Sequence, residues 1–334
     1  MCRLRIAYAF ALTAGLAGPL ALVACSSGDT SGGQAPAQTT ATATSRPDAS
    51  PSATPTTMPS ATTPPASTPT GRTSTPAKQP ETGPEPGYDQ TAFGRSTTVT
   101  NKWFPLRPGM RLNYRGQTIE DGEAIPHTVT SIVTDLTKVI DGVRNVVLWE
   151  RDYTAGVLDE AELAFFAQAD NGDVWHFGQY PEVYEEGQLT EVPAWIHGID
   201  GARAGLTIKA QPQLGGRSYA QGWGPGVGWS DRARVFKTNQ KTCVKAGCFQ
   251  GVLITDEFSA DEPGAHQLKY YAAGVGNVRV GYYGNDPTKE TLELVSVQRL
   301  NKAALAQVRA EVLKLEKRAY QYSKDVYGRT APMK

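Results

Sequence analysis

Three hydrophobic patterns follow one another along the chain. Ile6 to Ala21 is an apolar run without a single charge. From Ser26 to Pro86 large apolar side chains almost vanish, with Met58 the largest. Beyond that, short apolar runs rich in Val, Tyr, Trp and Phe alternate with Gly, Asn-Gly and Asp-Gly pairs. This last rhythm predicts antiparallel strands joined by tight turns. Strands are expected over Met110–Gly116, Thr128–Leu136, Asn145–Tyr153, Glu162–Ala169, Val174–Gly178 and Val183–Glu186. Turns fall at Glu120-Asp121-Gly122-Glu123, Asp141-Gly142 and Asp170-Asn171-Gly172-Asp173, where Asp, Asn and Gly tolerate positive φ. Pro105 and Pro108 fix φ and lack donors, so Asn101 to Gly109 reads as an ordered loop leading into the first strand.

Period-2 alternation is incomplete. Leu163, Phe165 and Ala167 share one strand face while Ala164 and Phe166 take the other; Trp175 and Phe177 oppose Val174 and His176. Strands apolar on both faces are covered on both. One cover is a helix expected over Asn301–Tyr322. Leu305, Val308, Val312, Leu315, Ala319 and Tyr322 form one stripe, and Asn301 is a fair N-cap. The expected fold is mainly β: a curved antiparallel sheet, sandwich or half-barrel, with a C-terminal amphipathic helix packed on it. The expected divisions are 1–24, 25–86, 87–300 and 301–328.

Composition sharpens the first two segments. Residues 26–86 are mostly Thr, Pro, Ser, Ala and Gly, which cannot bury enough surface to offset ordering entropy, so a disordered tether is expected. Its proline content favours extended segments, with a limiting reach on the order of 190 Å. Dense Ser and Thr beside Pro also resembles an O-glycosylated stalk. Formal net charge is zero, which gives no support for nucleic acid binding. Residues 301–334 hold 8 basic and 3 acidic side chains against 20 and 26 in residues 87–300. The basic tail could dock on the acidic body or face anionic lipid.

Arg3 and Arg5, the apolar run with Gly15, Gly18 and Pro19, and Leu22-Val23-Ala24-Cys25 together resemble a bacterial lipoprotein signal, residues 1–24 being removed. That resemblance implies acylation of Cys25, by palmitate-type chains, and anchoring in the cell membrane on its extracytoplasmic face. Each buried CH2 contributes about 0.8 kcal/mol, so two or more chains hold stably. The Thr/Pro tether is of the kind found in actinobacterial lipoproteins. Four further blocks resemble a family of uncharacterised secreted bacterial proteins: Phe93 with Thr98-Val99-Thr100-Asn101, Trp103-Phe104-Pro105-Leu106 and Pro108-Gly109; Asn171 to Gly178; Trp195, Gly198, Asp200-Gly201-Ala202 and Gly205; and Lys269 to Gly276. The resemblance spans 93–299 and implies an extracytoplasmic β-rich domain with no known activity. Gln179 and Trp229-Ser230-Asp231-Arg232 depart from the family pattern, which has acids there.

Candidate chemistry is sparse. Cys2 lies in the signal and Cys25 is the anchor, leaving Cys243 and Cys248 as an expected disulfide across a tight turn at Val244–Gly247. Strands at Arg234–Lys237 and Phe249–Glu257 flank it. So short a ring contributes about 2 kcal/mol. His127, His176, His197 and His266 make no metal-ligand spacing. No nucleophile elbow or phosphate loop is present, so no catalytic residue, metal ligand or cofactor is nominated. Asp256-Glu257 and Asp261-Glu262 either bind a cation or form a solvated turn. Gly222 to Trp229 is the main surface candidate: Trp223 and Trp229 either form an exposed platform for ligand or plug the end of the sheet. The readings are a lipid-anchored binding or carrier module for an apolar ligand, a cell-wall or protein interaction module, and, without a motif behind it, a metal-dependent hydrolase.

Overall fold

The computed structural model describes residues 83–334. The signal, Cys2, Cys25 and the tether up to residue 82 lie outside the described residues.

Five long strands form an antiparallel meander: β1 (Met110–Glu120), β2 (Glu123–Ile140), β3 (Val143–Thr154), β4 (Val157–Gln168) and β5 (Val174–Glu185). Three short strands share the free edge of β5: β6 (Gln188–Glu191), β7 (Trp195–Ile196) and β8 (Arg203–Ile208). β9 (Tyr219–Ala220) and β10 (Gly222–Trp223) precede a second set, β11 (Arg232–Val244), β12 (Gly247–Phe258), β13 (Ala265–Ala272), β14 (Gly276–Gly284) and β15 (Thr291–Arg299). β15 returns to pair with β1, joining both sets into one antiparallel sheet. No continuous ladder closes it. Its two ends are stitched by one short segment: β10 pairs with β8, β9 with β11, and only Gln221 lies between them. Gly205 on β8 permits this, because a Cβ there would fall 2.2 Å from the Gly222 nitrogen and 2.5 Å from the Ala220 oxygen.

The sheet is covered on both faces, as the two-faced strands require. Val147, Leu163, Phe165, Ala167, Trp175 and Phe177 belong to one core; Val146, Leu148, Ala164, Phe166 and Val174 belong to another. The first core is covered by α1 (Lys302–Tyr322), through Val312, Leu315 and Ala319, and by Tyr327 and Met333 beyond it. Asn301 caps α1, accepting from the Ala304 N–H. The expected stripe is shorter than its periodicity: Leu305 and Val308 are half-buried, and Tyr322 is exposed. Polar locks finish the docking. Arg318 donates to both oxygens of the buried Glu182 at 2.7–3.1 Å, and Lys138 meets Glu316 at 3.5 Å. The helix is thus a sheet cover, and Arg309 and Arg318, two of its basic residues, are engaged with Asp135 and Glu182 on the body.

The hairpin turns lie where Asp-Gly pairs placed them: Asp121-Gly122 and Asp141-Gly142 both take positive φ. The expected strand Val183–Glu186 is the far end of β5, which runs through Pro181 without a break. β13 escaped the pattern because Gln267 and Lys269 occupy buried positions in its alternation.

Candidate binding cavity

A cleft opens on the face of the sheet opposite α1. Its wall comes from six neighbouring strands in the order β3-β2-β1-β15-β14-β13. In-phase side chains build it: Leu148 and Glu150; Val129, Ser131 and Val133; Met110, Leu112 and Tyr114; Lys269 and Tyr271. Successive in-phase residues point the same way because side chains alternate along a strand. Laid flat, β3 and β13 would stand about 24 Å apart at normal strand spacing. Both line one cleft, so the sheet curls around it. The empty space is about 620 Å³ counting its open mouth; the enclosed part is narrow and suits a small group or the end of a single chain.

Phe104, Pro105 and Leu106 of the lead-in loop close one side. Asn101 fixes that loop. Its Oδ1 accepts from the Trp103 and Phe104 N–H groups at 2.8 and 3.2 Å, and its Nδ2 donates to the Gly172 carbonyl at 2.8 Å. Phe104 packs edge-on against Phe166 at 5.4 Å.

Within the lining, Glu150 and Lys269 carry charge. Lys269 is almost fully buried, and its Nζ meets Glu257 Oε2 at 3.1 Å. Glu257 Oε1 in turn accepts from Gln221 Nε2 at 3.1 Å, which ties the cleft to the stitch between the sheet ends. Tyr114 donates to the Asn277 carbonyl at 2.9 Å. Burial, and then the nearby Glu257 carboxylate, push the Tyr271 phenol well above its ordinary value, so it stays protonated.

Trp229 and Trp223 do not form an exposed pair. Trp229 is buried at 7% exposure and stacks on Trp195 at 5.9 Å with the planes inclined by 28°, while Trp223 is half-buried on β10. Gly222 and Gly224 make room: a Cβ on either would fall 2.5–2.8 Å from the Trp195 ring. The glycines therefore serve ring packing, and Trp229 fits the plug reading. His176, fully buried, stacks on Phe166 at 4.8 Å and meets Trp195 edge-on.

The other histidines sit apart, each beside carboxylates. His127 Nε2 lies 3.5 Å from Glu290 and 3.7 Å from Asp152. His266 Nδ1 is 2.8 Å from Asp256. His197 Nδ1 accepts from the Ala204 N–H at 3.0 Å, which leaves the ring proton on Nε2 facing Asp141; burial lowers its pKa despite that carboxylate. Among the described residues, no three His, Cys, Asp or Glu side chains gather to hold a metal ion. Asp256 is not a solvated turn residue. It is fully buried on β12, where Arg234, His266 and Tyr283 occupy its oxygens. Asp261 accepts from Ser230 at 2.7 Å. Cys243 and Cys248 form a disulfide across directly opposed positions of β11 and β12.

Sequence reasoning missed Glu150 and Lys269. The available signal was a charged residue in phase with an apolar period-2 face, Leu148-x-Glu150 and Lys269-x-Tyr271.

No family model matches the chain, and no curated protein matches it. It is similar to a solved structure from Bacteroides fragilis, described as an exported protein with a YmcC-like fold: 15% identity, TM-score 0.36, 59% of this chain and 99% of that one. It is also similar to one from Parabacteroides distasonis described as a lipoprotein: 12% identity, TM-score 0.34, with the same coverage. Likenesses this distant decide neither fold nor function, and neither organism is an actinobacterium.

Proposed function

We propose that the protein is an extracytoplasmic lipoprotein, held at the cell membrane by acylated Cys25, whose folded region is a binding module for a small apolar ligand or the end of one apolar chain. The observation that carries the binding reading is the cleft: a largely apolar wall from six strands, one loop over its side, and a few polar groups inside. Apolar pockets with a few placed polar groups are the usual form of ligand sites. The anchor rests on Leu22-Val23-Ala24-Cys25 and the apolar run before it.

Titration of the purified protein with octan-1-ol, followed by NMR, tests the cleft. Saturable shifts are expected in the wild type and their loss in Val133→Phe, which fills the space. Octan-1-ol shifts that persist in a folded Val133→Phe would place binding elsewhere. Membrane partition of Cys25→Ala tests the anchor. The substituted chain is expected in the soluble fraction; equal membrane retention would refute acyl anchoring.

A further inference from the structure

We propose that Glu262 and Asp286 form a Ca2+ site where the β12–β13 and β14–β15 loops run side by side. Neither residue lines the cleft. β13 and β14 pair from Ala265 opposite Gly284, so the loop entering β13 lies beside the loop leaving β14. The Asn285 N–H donates to the Gly264 carbonyl at 2.7 Å and ties the two loops together. Asp286 follows at once and is 1% exposed. Its Oδ1 accepts from the Thr288 N–H and hydroxyl at 2.9 Å and from the Lys289 N–H at 3.1 Å, which fixes the carboxylate. Its Oδ2 is buried and accepts no hydrogen bond among the described residues. Glu262, half-buried across the loop pair, brings a second buried oxygen, Oε2, likewise without a donor. The neighbouring charges acting on Glu262 are Asp286 and then Asp261, both negative. Asp261 is turned to Ser230, accepting from its hydroxyl at 2.7 Å. Like-charged carboxylate oxygens held out of water without donors are strongly unfavourable, and a cation shared between them removes that cost. The side-chain donors are all oxygens, which selects a hard cation. Ca2+ accepts irregular oxygen sets completed by backbone carbonyls and water, so two carboxylates suffice without a third acidic or histidine ligand.

Calorimetric titration of the EDTA-treated, full-length purified protein with CaCl2 tests the site, and NMR amide shifts locate it. Saturable binding is expected with a Kd on the order of 10⁻⁴–10⁻³ M, the range of extracellular Ca2+ modules. The largest shifts are expected in residues 260–264 and 285–289. Glu262→Gln and Asp286→Asn keep the shape of each side chain and should each weaken binding by about tenfold or more. MgCl2 should bind more weakly, because Mg2+ demands near-octahedral geometry. No saturable Ca2+ binding up to about 10 mM, or shifts confined to other residues, would overturn the proposal. Full affinity in a folded Glu262→Gln would do the same, and Mg2+ binding as tightly as Ca2+ would overturn the choice of ion. The wild-type shift map decides the location even if Asp286→Asn fails to fold.

Discussion

Lys138 shows how much one buried charge demands of its neighbours. It has no exposed surface, lies 3.5 Å from Glu316, donates to the Ala331 carbonyl at 2.8 Å, and stands 3.9 Å from the Tyr327 ring centre. Burial pulls its pKa down to about 8 against the opposing pull of Glu316. Between that value and its ordinary 10.5 the unfolded chain binds the extra proton. This group's destabilising contribution is therefore full below about pH 8 and fades as pH rises towards 10.5. Lys138→Met should cost about 3 kcal/mol in urea unfolding, because it strands the buried Glu316 carboxylate. Adding Glu316→Gln should return part of that loss, since the amide oxygen can still accept from the Met333 N–H that Glu316 now accepts. A double variant no more stable than Lys138→Met would show that the charge is not the cause. None of this was legible beforehand: a lone Lys between Thr137 and Val139 carries no sign of its partner 178 residues away.

At the scale of elements the turns were the most legible feature, because positive φ selects residues locally. Asp121, Asp141 and Gly172 take positive φ in turns that the sequence marks. Glu186 was one exception, at φ of 50° before Gly187 where a strand was expected, and Ala155 was another. It takes φ of 51° before Gly156, in a turn of the same kind joining β3 to β4. Alanine there keeps its Cβ against the following carbonyl, a strain that Asn relieves. Ala155→Asn should raise stability by about 1 kcal/mol in thermal or denaturant unfolding, with no change in the cleft; a destabilised variant would contradict the strain argument. α1 was legible from its period and its Asn301 cap, but the reach of its packing was not. Tyr322 continues the spacing and still faces solvent, because the chain turns away at Ser323 and Tyr327 takes the buried place. Periodicity reports which positions share a face, not how far the opposing surface extends.

The whole molecule depends on a small contact. Among the described residues, eleven strands from β8 to β11 run in a single pairing order whose ends would otherwise be open edges, exposed to pairing with other chains. The stitch Tyr219–Trp223 covers both. Gly205→Ala should displace it, since the added carbon has no room beside the Gly222 backbone. Faster amide exchange is expected in β8 and β11 while β2 and β3 keep their protection, together with a tendency to self-associate. Unchanged exchange at β8 and β11 would mean the stitch is not what protects those edges. The same contact reaches the cleft, through Gln221 to Glu257 and on to Lys269.

The sequence by itself determined the class of fold, the two-sided burial of β4 and β5, the turn positions, the capped helix and the cysteine pairing. All of these depend on short-range chemistry: side-chain alternation, tolerated φ, capping oxygens and spacing along the chain. Only the tertiary structure decided that β15 closes onto β1, that the sheet curls around a cleft, that Trp229 is buried, and that Glu150 and Lys269 line one wall. Those facts are set by which distant strands pair and how far the sheet bends. Such pairings leave no local mark, because the partners of Glu150 and Lys269 are fixed by the packing of the whole sheet rather than by their neighbours in the chain.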